Sequence, residues 1–296
     1  MTWETVTRVE LPNGETIASR HRDGEMPLVL LHGNLSSSLF WDLVVGDLDE
    51  RFEVWAPDLR GFGESTYEES FDSLSALAED VEAFADEVGL DDVHLWGWSA
   101  GAGVAMQVAA DQPDRVRKLV LMAPPSTQGL PVYRKDETRQ PTDEVLTTRE
   151  ELAEDPVSVA PVLAAIDAGD VEAMKEIWEA AIFVNEIPDP ERFDRYMQES
   201  LKERCLLDVD YALVHFNISP EHNGIEPGTG GVEAIEAPTL VLRGEDDLVV
   251  APHLVDRVVD EIEDAEFVEL TDCGHAPPVD DLDGLLAEVE PFLLDD

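Results

Sequence analysis

The sequence predicts an α/β fold: a mostly parallel, twisted sheet with helices on both faces, interrupted by a helical insertion. In the first third of the chain, short apolar runs alternate with stretches of helical periodicity. The alternation returns after residue 239, whereas residues 124–231 lack buried-strand patterns and are rich in helix signals. Strands that alternate with helices favour a parallel sheet covered on both faces.

The predicted strands begin with a β-hairpin. A Pro-Asn-Gly turn at residues 12–14 separates Val6–Leu11 from Thr16–Arg20, and this turn chemistry is typical of hairpins. Continuous apolar runs then predict strands that are buried on both faces. Those runs are Leu28–Leu31, Phe52–Ala56, Val93–Trp98 and Lys118–Met122, and Thr239–Leu242 and Glu266–Leu270 restore the strand pattern after the insertion.

Three helices are expected around these strands. Leu74–Val88 carries apolar residues at helical spacing, a second helix begins at Ala100, and Leu282–Leu294 closes the chain. Each lies beside a predicted strand in sequence. We therefore expect residues 1–123 and 232–296 to form one α/β core.

Residues 124–231 are expected to form a helical cap, or lid, inserted into that core. Thr148-Arg-Glu-Glu151 matches a capping box. Asp170 is placed to cap a helix over Val171–Val184, and Asp189-Pro190 to start another that runs to Arg204. Asn217–Gly231, with its glycines and prolines, indicates a long loop.

The charge balance limits the possible partners. The 296 residues contain 19 Lys and Arg against 67 Asp and Glu, so the net charge is 19 − 67 = −48. The hydrophobic fraction of 44% is that of a globular chain and argues against disorder. A field this negative repels phosphate backbones and anionic lipids, so neither nucleic acid nor a membrane is an expected partner. Small neutral substrates are expected instead, and the oligomeric state stays open.

The cations are unusual as well, because 15 of the 19 are arginine and only Lys118, Lys135, Lys175 and Lys202 are lysine. Short carboxylates solvate tightly, whereas lysine exposes an apolar stem to water. The composition resembles that of proteins from extreme halophiles, which accumulate salt in the cytosol.

Targeting and metal signals are absent from the sequence pattern. The first residues show neither a basic region nor an apolar segment of a secretory signal, and no apolar run approaches the roughly 18 residues of a membrane span. Cys205 and Cys273 are too few for a disulfide framework and are not spaced as metal ligands. We expect a cytoplasmic protein without metal or cofactor.

The strongest chemical motif is Gly97-Trp98-Ser99-Ala100-Gly101, which matches G-x-S-x-G. A predicted strand precedes it and a helix-compatible run follows it, as a nucleophile elbow requires. The glycines leave room for a serine held on a sharp strand-to-helix turn. We therefore predict that Ser99 is a nucleophile.

A nucleophilic serine needs a base and a group that orients the base. Glu245, Asp246 and Asp247 follow one late strand, and His275 follows the next. His32 also lies at a strand end beside glycine. The order Ser99, Asp247, His275 is the one expected for a strand–elbow–helix architecture.

Taken together, these motifs resemble those of the α/β-hydrolase superfamily. The matching segments are His32-Gly33-Asn34, the run from Pro57 to Ser65, the Ser99 elbow, Gly244-Glu245-Asp246-Asp247 and Gly274-His275. The resemblance implies that Ser99 is the nucleophile, His275 the base and Asp247, rather than Asp246, the acid. It also implies an oxyanion hole formed by the backbone N–H groups of Asn34 and Ala100, with no cofactor.

The resemblance assigns structural roles to other residues. It implies that His32 shapes its loop, and Asp58 and Arg60 are expected to hold a turn. The stretch after Asn34 resembles haloalkane dehalogenases, but Ser99 stands where those enzymes carry aspartate, which argues against dehalogenation. In the insertion, the aromatic candidates for pocket walls are Trp178, Phe183, Tyr211 and Phe216, and the loop candidates for substrate contact are Ser219, His222 and Asn223. For both groups a packing or solvated role is the simpler expectation.

The expected activity is hydrolysis of carboxylic esters or lactones through an acyl-enzyme. The same triad serves cofactor-free perhydrolases of the haloperoxidase type and C–C bond hydrolases, and residue types do not separate these reactions. A receptor that binds ligand on this fold without turnover is the alternative of another class. An intact set of Ser99, Asp247 and His275 argues against the receptor.

The charge of −48 predicts a strong dependence on salt. Crowded carboxylates repel one another and destabilise the compact state, and at 1 M salt the Debye length falls to roughly 3 Å. We expect the melting temperature and the activity to rise steeply from dilute buffer to molar KCl. A thermal melt that stays flat between about 0.1 and 2 M KCl would contradict the halophile interpretation.

Overall fold

The computed structural model describes Trp3 and residues 5–295. Within these residues eight strands form one sheet in the order β1-β2-β4-β3-β5-β6-β9-β10. Strands β1 and β2 form the predicted hairpin, β2 pairs antiparallel with β4, and the remaining neighbours are parallel. The strands are β1 Val6–Glu10, β2 Thr16–Arg22, β3 Met26–Leu31, β4 Phe52–Pro57, β5 Val93–Trp98, β6 Val116–Met122, β9 Thr239–Gly244 and β10 Ala265–Leu270, with β7 Tyr133–Lys135 and β8 Pro141–Val145 outside this sheet. The predicted α/β class, with its mostly parallel sheet, is confirmed.

Helices cover both faces of the sheet. Their bounds are α1 Asp42–Asp47, α2 Leu74–Val88, α3 Ala100–Asp111, α4 Arg149–Ala153, α5 Ala160–Ala168, α6 Val171–Ala181, α7 Pro190–Ser200, α8 Leu206–His215, α9 Pro252–Glu261, α10 Pro277–Asp280 and α11 Leu282–Leu294. Short 3₁₀ helices lie at Ser38–Trp41 and Gly231–Ala234. The bounds predicted for α2 and α11 are those observed.

Strand β3 shows why the central runs are apolar throughout. Val29 and Leu31 pack into a core with α2, α3 and α9, while Leu28 and Leu30 pack into a second core with α1, α11 and helices of the insertion. Successive side chains of a strand point to opposite faces, so a doubly covered strand needs apolar residues at every position. All four side chains are at most 2% exposed.

The insertion, residues 124–231, contains α4 to α8 between β6 and β9. The capping box of Thr148 and Glu151 and the N-caps of Asp170 and Asp189 are present as predicted. The long loop Asn217–Gly231 is also present, apart from its last residue, which begins a 3₁₀ helix.

Several expectations for the insertion were wrong. Helix α6 ends at Ala181 rather than Val184, α7 ends at Ser200 rather than Arg204, and a new helix, α8, follows. The chain leaves α7 early because the Arg204 N–H donates to the Gly61 carbonyl of the core, 2.9 Å away. The insertion also contains a small antiparallel sheet of β7 and β8, whose exposed, charged residues carry no apolar pattern that could predict strands.

A buried network holds the turn that follows β4. Asp58 accepts the backbone N–H groups of Ser38, at 2.8 Å, and Glu64, at 2.9 Å. Arg60 donates two hydrogen bonds to Asp80 on α2, at 2.7 and 2.6 Å, and Asn13 donates a third at 2.7 Å. Asp58 and Arg60 therefore have the turn-holding role expected from the sequence.

The Arg60–Asp80 pair gives a stability prediction. Replacement of Asp80 by alanine leaves a buried guanidinium without its bidentate partner, which costs about 3–5 kcal/mol. We expect Asp80→Ala to lower the free energy of unfolding by that amount in urea titrations. As a control, Asp92→Ala removes the solvent-exposed partner of Arg117 and should change it by less than about 1 kcal/mol. Equal losses in both variants would contradict the assignment.

Candidate active site

The turn between β5 and α3 carries Ser99 in a strained conformation, with φ +54° and ψ −121°. A non-glycine residue with positive φ is unusual, and it keeps this backbone conformation only where the surrounding structure fixes it. A Cβ on Gly97 would collide with the backbone of Gly101 and Ala102, and a Cβ on Gly101 would collide with the carbonyls of Leu31 and His32. The two glycines of the motif are thus required by close backbone packing.

The loop after β3 lies directly against this turn. A Cβ on Gly33 would be 3.1 Å from the Ser99 Cβ. His32 is fully buried; its Nε2 accepts the Leu59 N–H at 3.0 Å, and Nδ1 then donates to the Gly33 carbonyl at 2.8 Å. Burial lowers the pKa of His32, which favours the neutral ring that this bonding pattern needs. His32 therefore shapes the loop, as expected.

Ser99, His275 and Asp247 form a continuous hydrogen-bonded chain. His275 Nε2 is 2.9 Å from Ser99 Oγ, and His275 Nδ1 is 2.9 Å from Asp247 Oδ2. The His275 and Asp247 side chains are almost completely buried, whereas Ser99 is partly accessible. A bond from Nδ1–H to Asp247 leaves Nε2 free to accept the serine proton. The structure thus brings together the three residues predicted from three separate motifs.

The surroundings of Asp247 favour its ionised form despite burial. Burial alone would raise its pKa, but the adjacent His275 and the N–H groups of Val250 and Val249 outweigh burial, and the pKa is lowered. Those two N–H groups donate to Oδ1 at 2.9 and 2.8 Å. Asp246 has a different partner, the side-chain amide of Asn185 at 3.2 Å.

The loops that carry Asp247 and His275 are packed together at the ends of β9 and β10. A Cβ on Gly244 would collide with the carbonyls of Cys273 and Gly274. The Gly274 N–H donates to Asp280 Oδ2 at 2.7 Å, and the Trp98 Nε1–H donates to the His275 carbonyl at 2.8 Å. These contacts fix the backbone on both sides of the imidazole.

Asn34 and Ala100, the predicted oxyanion-hole residues, lie on the two segments that enclose Ser99. Ala100 begins α3, where the first backbone N–H groups have no acceptor within the helix. Asn34 follows Gly33, and its side chain reaches the insertion: Nδ2 donates to Asp210 Oδ1 at 3.1 Å. The Leu35 N–H donates to Glu203 Oε2 at 3.0 Å.

Glu203 and Asp210 are residues that the sequence analysis missed. Burial, reinforced by the neighbouring Asp210, raises the pKa of Glu203 well above its usual range. Burial, reinforced by Asp155, raises the pKa of Asp210 to about 7. No sequence motif indicates either residue, because each lies more than 160 positions from its hydrogen-bond partner, Leu35 or Asn34.

An aromatic cluster stands beside the triad. Trp98 contacts His275 and Phe40, and Phe40 stacks on Tyr196 and Trp178 of the insertion. Phe183 packs on Trp178. Trp178 and Phe183, suggested as pocket walls, are buried in the core next to the site.

The other suggested contact residues lie elsewhere. Tyr211 and Phe216 line a cavity of about 410 Å³ between α2, α3 and the insertion, and this cavity contains none of the triad residues. Ser219, His222 and Asn223 make hydrogen bonds that hold their own loop. In the described part of the chain, no group of three His, Cys, Asp or Glu side chains is arranged to bind a metal ion.

Comparison with known proteins identifies the family. The model of the α/β hydrolase fold family matches residues 26–282, which is most of the chain. The chain belongs to the α/β-hydrolase family. This confirms the resemblance noted in the sequence.

Its relatives include several esterases. It is 26% identical to the pimeloyl-(acyl-carrier protein) methyl ester esterase of Nitrosospira multiformis, over 91% of this chain and 95% of that protein. An esterase of Thermogutta terrifontis has the same fold, with a TM-score of 0.71, 21% identity and 98% coverage of both chains. The enol-lactonase of Burkholderia xenovorans LB400 also shares the fold, with a TM-score of 0.72, 17% identity and coverage of 97% and 99%.

The family places the protein among hydrolase-type enzymes with esterase-like relatives. Among residues 3 and 5–295, no helix has the length and apolarity needed to cross a lipid bilayer.

The two adjacent aspartates allow a sharp test of the hydrogen-bonded chain. Asp247→Asn removes the carboxylate that orients His275, and we expect kcat for an activated ester to fall on the order of 10⁴-fold. Asp246→Asn alters one hydrogen bond to Asn185 and should change kcat by less than about tenfold. Steady-state kinetics of both variants decide the assignment, which would be reversed by a larger loss at Asp246.

Proposed function

We propose that the protein is a serine hydrolase that cleaves carboxylic esters or lactones of small neutral substrates through an acyl-enzyme. The observation that carries the proposal is the chain Ser99 Oγ–His275 Nε2–Asp247 Oδ2, with both links at 2.9 Å. A serine on a strained elbow with an oriented imidazole is the arrangement that nucleophilic acyl transfer requires.

In the acylation step His275 accepts the proton of Ser99 as Oγ attacks the substrate carbonyl. The carbon becomes tetrahedral and its oxygen negative, and Asp247 stabilises the imidazolium that forms. His275 then gives the proton to the leaving alkoxide oxygen. The C–O bond breaks, an alcohol departs and the acyl group stays on Ser99; in a lactone, alcohol and acyl group remain one molecule.

The negative oxygen needs hydrogen-bond donors at the moment it forms. We assign the backbone N–H groups of Asn34 and Ala100 to this oxyanion hole. The close approach of Gly33 to Ser99 supports the first donor, and the position of Ala100 at the start of α3 supports the second. A helix N-terminus also carries partial positive charge, which favours an anion there.

Water completes the cycle by the same route. His275 removes a proton from water, the hydroxide attacks the acyl carbon, and collapse of the second tetrahedral intermediate returns the proton to Ser99. The products are a carboxylic acid and the regenerated enzyme. This sequence needs no cofactor.

We assign residues 124–231 as a cap that shapes the substrate site. The aromatic stack of Phe40, Tyr196 and Trp178 joins the core to this segment beside Trp98. An apolar wall suits a neutral acyl group, and the net charge of −48 disfavours anionic substrates. The esterase and lactonase relatives support an ester or lactone as the bond that is cleaved.

Ser99 provides the decisive experiment. Ser99→Ala should lower kcat for p-nitrophenyl acetate by several orders of magnitude, as removal of a triad nucleophile does, with an unchanged melting temperature. A fluorophosphonate should label the native protein at Ser99 alone, as read by peptide mass spectrometry. Ester and lactone panels of varied acyl length, run in molar KCl, would then define the substrate.

Other outcomes have distinct meanings. A fully active alanine variant, or label on another residue, would exclude the acyl-enzyme. Measurable binding of the panel compounds without any turnover would favour the receptor function instead.

A further inference from the structure

The oxyanion loop, residues 32–38, is held from outside by the insertion. Glu203 Oε2 accepts the Leu35 N–H at 3.0 Å, and Ser200 Oγ donates to the Leu35 carbonyl at 2.5 Å. Asp210 Oδ1 accepts the Asn34 side-chain amide at 3.1 Å. Both polar groups of the Leu35 backbone and the side chain of Asn34 are therefore bonded to the segment from α7 to α8.

Leu35 needs such support because its backbone is strained, with φ +56°. A bulky residue with positive φ is destabilised by roughly 1–3 kcal/mol and keeps this conformation only where neighbouring contacts fix it. Its N–H bond to the Asn34 side-chain oxygen, at 3.1 Å, ties the strained residue to Asn34. The conformation of Asn34 thus depends on contacts that start from Glu203 and Asp210.

The burial of Glu203 lowers the stability of the fold more than a merely structural contact would justify. It is 2% exposed, and its second oxygen, Oε1, is buried without a hydrogen-bond partner. A buried polar atom without a partner destabilises a fold by about 1–3 kcal/mol. A contact that costs stability in this way and bonds to the oxyanion loop indicates a role in the reaction.

We propose that Glu203 and Asp210 are positioning residues, which hold Asn34 in oxyanion-hole geometry through the Leu35 N–H and the Asn34 amide. The oxyanion hole is then complete only when the α7–α8 segment makes its hydrogen bonds to residues 32–38. This inference rests on the proposed hydrolase function and extends it to the insertion.

The charge state of the pair supports this role. Burial raises the pKa of both carboxyl groups, that of Glu203 well above its usual range and that of Asp210 to about 7, so Asp210 is half protonated at pH 7. A neutral carboxyl still accepts the N–H bonds but adds no negative charge beside the oxyanion. As pH rises through 7, Asp210 ionises and opposes the charge that develops in the transition state.

Other charged groups surround the pair. Arg204 and Asp210 act on Glu203, and Asp155 acts on Asp210. Lys135 lies 3.8 Å from Asp155 and partly balances its charge. Cys205, whose pKa is raised by burial and by the two acids, also lies beside the pair, and Asp247, whose pKa is lowered, lies beside His275.

Two pairs of variants test the role. Asp210→Ala and Glu203→Leu remove the acceptor, whereas Asp210→Asn and Glu203→Gln keep it without a charge. For p-nitrophenyl acetate at pH 7 we expect kcat to fall about 10²-fold in the first pair, with KM within about threefold, because displacement of one oxyanion donor has that effect. The amide pair should retain kcat within about threefold.

Glu199→Ala is the matched control. Glu199 belongs to the same segment and accepts a hydrogen bond from Ser37 of the same loop, at 3.3 Å, but it contacts neither Asn34 nor Leu35 by a hydrogen bond among those described. The kcat of the Glu199→Ala variant should stay within about threefold of the native value. Melting temperatures of all variants show whether each one is folded.

The pH profile separates positioning from general stability. Between pH 6 and 9 the kcat ratio of Asp210→Asn to native enzyme should rise at least about threefold, since only the native residue gains a charge. A flat ratio, or full activity in both Asp210→Ala and Glu203→Leu, would overturn the inference. Equal losses in alanine, leucine and amide variants would overturn it as well.

A second readout keeps the inference separate from the proposed function. Phenylboronic acid forms a tetrahedral, negatively charged adduct with an active serine, and its Kd can be measured without turnover. We expect the Kd to rise at least about tenfold in Asp210→Ala and Glu203→Leu, and to be unchanged in Asp210→Asn and Glu203→Gln. This pattern in a protein that turns over no ester would exclude the hydrolase function and still support the positioning role, whereas an unchanged Kd in every variant would overturn that role.

Discussion

The site depends on how closely backbones approach one another at the carboxyl ends of the parallel strands. The Ser99 turn, the Gly33 loop and the Gly244 turn each contain a position where a Cβ would meet neighbouring main chain or the Ser99 side chain. Parallel strands end at the same edge of a sheet, so loops from β3, β5, β9 and β10 converge there. The positive φ of Ser99 is tolerated because these contacts leave the turn no other conformation. The Ser99 turn is therefore the fixed point of the site, and the His275 imidazole and the insertion pack around it.

The carboxyl groups of the site, buried at Asp247 and Glu203 and partly buried at Asp210, have pKa values shifted in two opposite directions. Asp247 receives an imidazole and two backbone N–H groups, so its pKa is lowered, and its contribution to stability is present above the unfolded pKa near 4 and lost as pH falls. Glu203 and Asp210 have raised pKa values, so their contribution is present below about pH 4 and lost as pH rises through the folded pKa. One site therefore combines an acid whose pKa is lowered, beside His275, with two acids whose pKa values are raised, beside the loop of Asn34 and Leu35. Separation of acids into charged and neutral roles by their surroundings is how one fold performs acid and base chemistry at a single pH.

Which features the sequence could predict depends on how far apart in the chain the interacting residues lie. Strands β3 and β5, helix α2 and the Ser99 elbow carry local patterns, because burial on two faces, a helical stripe and a sharp turn each constrain adjacent residues. The meeting of Ser99, Asp247 and His275 was predictable only through the rule that parallel strands share an edge and through family resemblance. Strands β7 and β8 and the contacts of Glu203 and Asp210 had no such signal, since exposed strands need no periodicity and single acids in an acidic chain do not stand out. Their roles come from partners far away in the chain.

The scarcity of cations makes their placement informative. Arg192 pairs with Asp42 at 3.0 Å, Lys202 pairs with Glu64 at 2.9 Å, and the Arg204 guanidinium donates to the Ser65 carbonyl. Cationic side chains of the insertion therefore reach the core. The Arg192 and Lys202 pairs are partly exposed, and pairs of that kind contribute little and are screened by salt. Glu203 is buried and Asp210 is partly buried, so their hydrogen bonds to the loop lose less to screening. Concentrated salt relieves repulsion across the acidic surface. Under these conditions hydrogen bonds and apolar packing, rather than ion pairs, therefore hold the insertion against the loop.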